Sequence, residues 1–127
     1  MATTPALVAQ RTGALYGLFG VALGAFAAHA IKLHLAQLDT VDIWRTAVLY
    51  QFVHAVALLA VGQGQLVSLR TVICWTIGIL FFSGSLYFLA WNPAWWGFGP
   101  VTPTGGLLLM AGWASLLWDL RGNPVRS

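Results

Sequence analysis

The sequence predicts an all-α fold, an integral membrane four-helix bundle with four transmembrane helices in one domain, residues 1–127. Composition is the first observation behind this: 59% of residues are hydrophobic and 7% are charged, whereas a soluble domain is about a quarter charged. The second is where the charges fall. Arg11 and Lys32 bracket 20 uncharged residues, Arg45 and Arg70 bracket 24, and the 48 residues between Arg70 and Asp119 carry none. A helix needs roughly 20 apolar residues to cross a hydrocarbon core of about 30 Å. The last run therefore holds two crossings, divided by the proline-punctuated stretch from Trp91 to Thr104. Third, no alternation of apolar and polar residues supports a barrel. Unpaired backbone groups cost several kcal/mol each in hydrocarbon, so helices remain as the spanning elements.

The first span is expected over residues 13–31, after a short polar tail. Gly13, Gly17, Gly20, Gly24 and Ala28 recur at spacings of three and four, giving one face that admits a neighbouring backbone. Ala22 and Ala25 make a second small face. A helix so slender gains little from lipid contact and is expected to sit among other helices, its own three or those of a partner. Ala28-His29-Ala30 imitates a secretory cleavage site, but the Gly-rich core favours a retained helix. Residues 32–39 carry Leu33, Leu35 and Leu38 among polar residues, which suits either a continuation of the helix or an interfacial turn.

The second span is expected over residues 41–61, capped by Asp39 or Thr40, with Asp42 at the positive end of the helix dipole and Gly62 and Gly64 as terminators. The third covers residues 71–90 and stops at Asn92-Pro93, because proline disfavours helix at the residue before it. Trp91, Trp95 and Trp96 then suit the headgroup region. The fourth covers residues 103–120, opened by the Thr102 hydroxyl and by Pro103, whose missing N–H costs nothing there. Arg11, Arg70, Arg121 and Arg126 lie on the side of the termini, against Lys32 and Arg45 opposite, so the positive-inside rule predicts cytoplasmic termini in an inner (plasma) membrane.

Polar side chains inside the spans mark helix-to-helix hydrogen bonds or a functional site. At about 1.5 Å of rise per residue from Trp44 and Trp91, Gln51 lies about 10 Å deep, Ser83 about 12 Å and His54 about 15 Å. Gln51 and His54 are three apart on one helix, Ser83 and Tyr87 four apart on the next. His29 lies roughly 5 Å inside the level of Lys32, with Tyr87 its partner by depth. These five residues form the candidate polar cluster.

Several chemistries find no parts here. His29 and His54 differ by about 10 Å in depth, too far for one metal ion or haem iron, and no Cys, Asp or Glu joins them; no metal and no cofactor is expected. Cys74 has no partner cysteine and reads as a small buried filler. Asp39, Asp42 and Asp119 lie outside the apolar runs, so no nucleophile–base–carboxylate set forms within the membrane and no enzymatic activity is expected. Six basic residues spread over separate connections make no nucleic-acid patch despite a net charge of +3.

Four sequence blocks, GAFAAHA (Gly24 to Ala30), WRTAVLYQFVHAVALL (Trp44 to Leu59), FSGSLY (Phe82 to Tyr87) and GPVTPTGG (Gly99 to Gly106) with Gly112-Trp113 after it, touch all four spans in order. They resemble a family of small bacterial inner-membrane proteins of the YgdD and YwdK type, which has mitochondrial relatives and is a domain of unknown function. Ala27 stands where the family usually has Gly, and Leu49 where it has a second Gln, so one polar group of the second span is lost. The resemblance implies a four-helix membrane protein in which His29, Gln51, His54, Ser83, Tyr87 and the turn Thr102, Pro103, Gly105 and Gly106 belong to the family motif.

Two functional expectations follow. The first is an interaction or assembly protein whose glycine-faced first helix meets a membrane-protein partner or a second copy. The second is a binding or transport module for a small molecule, lipid or quinone, using the polar cluster.

Overall fold

The structure, a computed structural model, describes residues 3–64, 67–95, 97 and 99–122; Trp96 and Arg126, named above, lie outside them. Five helices follow in order: α1 (Thr4–His29), α2 (Lys32–Gln37), α3 (Val41–Gln63), α4 (Leu69–Trp91) and α5 (Val101–Arg121). All but α2 are long and apolar enough to cross a membrane, and no strand occurs among the described residues.

The ends of the helices differ from the sequence reading for local reasons. α1 starts nine residues early because the Thr3 hydroxyl accepts from Ala6 N and Pro5 occupies the first turn, where a missing donor is harmless. It stops at His29, and Ile31 leaves helical geometry at ψ 11° before α2 begins; residues 32–39 are therefore a separate short helix and turn. Thr40 precedes α3 but caps nothing with its side chain; its hydroxyl donates across the bundle to Ala90 O at 2.7 Å. Asp39 instead takes the left-handed turn, φ 55°. Ser68 opens α4 by accepting from Thr71 N. α5 begins at Val101 after Pro100, not at a Thr102 cap; the Thr102 hydroxyl shares a 2.6 Å hydrogen bond with Ser85 on α4.

Burial shows how the spans are arranged. A third of the apolar window of α3 and of α4 is buried, against 11% of α1 and 17% of α5. α3 and α4 form the central pair; α1 packs mainly on α3 and α5 mainly on α4. The first span is thus largely outward-facing, and of the two expected enclosures the chain's own three helices do not supply one.

Close backbone approach explains which glycines matter. A methyl on Gly13 would lie 2.8 Å from Ala55 O, and one on Gly62 would lie 3.0 Å from Ala6 O, so these two residues seat α1 on α3. Gly62 is therefore a packing residue inside α3, not its terminator. Gly20 faces the Phe52 ring, Gly24 has Val48 3.7 Å away, Gly17 faces open space, and Ala28 is exposed. On the other seam Gly105 abuts the Phe82 backbone and Gly112 the Trp75 indole, while Gly106 has only ordinary contact with the Phe82 ring.

Two apolar clusters fill the bundle. Ala6, Ala9, Leu58, Val72, Trp75, Ile79 and Leu109 occupy the half nearer the termini. Ile31, Leu35, Trp44 and Ala90 close the other end beneath α2.

Candidate functional site

Gln51, 3% exposed on α3, ties three helices together. Its amide donates to Tyr16 O on α1 at 2.8 Å, and its carbonyl accepts from the Tyr87 hydroxyl on α4 at 2.8 Å. The Tyr16 phenol in turn donates to Thr76 O at 2.7 Å. Ser83, one turn before Tyr87, donates to Ala47 O at 2.7 Å.

His54 turns the other way, toward α5. Its Nδ1 meets Tyr50 O at 2.8 Å and its Nε2 accepts from Trp113 Nε1 at 3.0 Å. An indole nitrogen only donates, so Nε2 is the bare nitrogen and the proton sits on Nδ1, bonded to the carbonyl. Both ring nitrogens are satisfied in the neutral form. Trp75 and Trp113 meet edge-to-face at 4.7 Å beside it.

Of the five candidate residues, the structure brings Gln51 and Tyr87 into contact, sets Ser83 and His54 on separate bonds, and leaves His29 outside. His29 is exposed at the end of α1, and Tyr87, its expected partner, is taken by Gln51. The three-residue spacing of Gln51 and His54 is enough to aim one at α1 and α4 and the other at α5.

Sequence reasoning missed a second polar group at the terminal end of α4 and α5. The Asp119 carboxylate, 11% exposed, accepts from Ser68 N at 3.3 Å and from the Thr71 hydroxyl at 3.4 Å, and pairs with Arg70 at 3.4 Å. The same Thr71 hydroxyl lies 2.9 Å from the Ser115 hydroxyl, so its one proton is shared between the two acceptors. The signal was available: Ser115 and Asp119 are four apart on one helix.

A pocket of about 540 Å³ lies between the end of α1, α2 and the start of α3, and none of the five cluster residues lines it. Gly24, Ala27 and Ala28 give it a small-residue wall, Trp44, Val48 and Phe52 an apolar one, and Lys32 and Arg45 also line it. Leu49, another of its lining residues, is 59% exposed. Among the described residues, no group of three or more His, Cys, Asp or Glu is placed to hold a metal.

Four long apolar helices joined by interhelical hydrogen bonds define a small multi-pass helical membrane protein. Residues 23–106 match the family described as protein of unknown function (DUF423). The chain belongs to that family. It is 42% identical over 112 residues to a UPF0382 membrane protein of Haemophilus influenzae, covering 83% of this chain and 86% of the relative. A UPF0382 membrane protein of Staphylococcus epidermidis is 40% identical over 112 residues, 83% and 88% of the two chains. The UPF0382 inner membrane protein YgdD of Escherichia coli is 36% identical over 110 residues, 82% of each. No solved structure matches the chain.

Proposed function

We propose that this protein is a non-enzymatic binding module of the inner membrane, with cytoplasmic termini, that holds one amphiphilic molecule drawn from the bilayer. The observation that carries the reading is the pocket between α1, α2 and α3, whose volume of about 540 Å³ falls within the usual range of ligand sites, about 300–1,000 Å³. Its apolar wall reaches Phe52, seven residues beyond Arg45 and hence about 10 Å along α3. The polar side chains in mid-bundle serve another purpose, since Gln51, His54 and Ser83 spend their donors on helix-to-helix or local carbonyl bonds.

Gly24→Leu tests this directly. A Cβ at Gly24 meets only Val48, at 3.7 Å, and both residues line the pocket, so a larger side chain there takes up pocket volume. Protein extracted gently from membranes is expected to carry a lipid or quinone at near one-to-one stoichiometry by native mass spectrometry, and Gly24→Leu to lose it. Equal ligand content in both proteins would refute the reading.

A second reading, association with a membrane-protein partner or a second copy, is favoured by one observation. Gly17, on the glycine face of α1, meets nothing within the chain, and Ala22 and Ala25 on the second small face are exposed. Gly17→Leu is expected to dissociate a complex formed there without loss of stability; unchanged association in the variant would remove it.

A further inference from the structure

Resting on the pocket reading, we infer that the ligand class is an anionic phospholipid, its phosphate held between Lys32 and Arg45 and one acyl chain lying against Val48 and Phe52. The two basic residues enter the pocket from different elements: Lys32 is the first residue of α2, and Arg45 lies in the second turn of α3. Both line the same pocket, whose other lining residues are all small or apolar. This division, two cations among otherwise small or apolar walls, suits a lipid.

Neither cation is committed elsewhere in a way that competes. Among the described residues Lys32 has no ion-pair partner, and Arg45 has only Asp42 at 3.5 Å, with side chains 76% and 96% exposed. An exposed pair of that kind contributes little, whereas guanidinium and phosphate form short, charge-assisted, often bidentate bonds. Asp39 and Asp42, the carboxylates of this connection, are both exposed and neither lines the pocket. An acyl chain enters past exposed Leu49, which also lines the pocket.

A zwitterionic lipid would satisfy the walls but would bring its own cation beside Lys32 and Arg45. Each basic side chain near a membrane surface favours an anionic lipid by about fivefold, so the pair gives a preference of roughly thirtyfold. The experiment is native mass spectrometry of the full chain titrated with phosphatidylglycerol and phosphatidylcholine of matched acyl chains. Wild type is expected to retain phosphatidylglycerol about thirtyfold better. The Lys32→Gln/Arg45→Gln double variant, which alters only exposed side chains, should bind both lipids equally. Gly24→Leu, or Ala28→Trp should Gly24→Leu fail to fold, should bind neither.

Equal retention of the two lipids by wild type, abolished by the pocket-filling variant, overturns the anionic assignment and leaves the amphiphile site standing. An anionic preference unchanged in the double variant also overturns it, by placing the selective site elsewhere. Retention unaffected by filling the pocket overturns both readings.

Discussion

Replacing Gly105 by alanine tests the seam between α4 and α5 with a single methyl group. That carbon would abut Phe82 N and lie 2.8 Å from Phe81 C and Phe82 Cα, whereas carbon atoms rest at about 3.5–4.0 Å. The opposing atoms are main chain and cannot rotate aside, so the helices must part by roughly 0.7 Å or more on that comparison. Overpacking of this kind costs about 1–3 kcal/mol. Parting also stretches the Ser85–Thr102 bond of 2.6 Å and the Trp75–Leu109 bond of 3.3 Å, which flank the contact. Each is worth about 0.6 kcal/mol between membrane helices, bringing the expected loss to about 2–4 kcal/mol. Reversible unfolding in mixed micelles, by detergent titration or steric trapping, measures it. Gly84 on α4 is the control: a methyl there meets nothing within 4 Å, so Gly84→Ala should be at least as stable as wild type. If Gly105→Ala unfolds at the same point as Gly84→Ala, the close-approach argument is wrong for this seam.

Other outcomes are as definite. Gln51→Leu and Tyr87→Phe combined in a double-mutant cycle should show a coupling of about 0.6 kcal/mol, at most about 1.7; a coupling indistinguishable from zero would mean that their 2.8 Å bond contributes nothing. Asp119→Ala leaves Ser68 N–H without its acceptor, while the Thr71 hydroxyl keeps Ser115, and should cost about 1–3 kcal/mol, read in the same unfolding assay; an unchanged midpoint would refute it. With Cys74 replaced by alanine, single cysteines at Gly64 and Ala94 should react with impermeant reagent from opposite faces of the membrane, and labelling from one face would sink the four-span topology.

The spans were legible because charge is so scarce that its gaps trace the bilayer, and the break before α5 because proline recurs in it. The early start of α1 was not, since Thr3 and Pro5 are separated from the apolar run by Gln10 and Arg11, which look like a tail. The polar residues of mid-bundle were legible as a set, but not their partners. Ser83 and Trp44 donate to the carbonyls of Ala47 and Leu23, and a carbonyl is present at every position of a chain, so side-chain identity cannot announce it. The pocket was hidden for a different reason. It depends on the helix breaking at Ile31 and turning α2 across the bundle end, whereas Lys32 and Arg45 were read only as charges that set orientation.

That preference for main-chain acceptors gives the fold an asymmetric tolerance to sequence drift. Gln10, Tyr16, Thr40, Trp44 and Trp75 each reach a carbonyl on another helix, at Gly62, Thr76, Ala90, Leu23 and Leu109. Substitution at an acceptor position leaves its oxygen in place, so outside the close contact at Gly62 it is the donor half of each tie that is vulnerable. Related chains can therefore exchange most of the residues on the receiving side and keep the same bundle, provided the few reaching side chains persist.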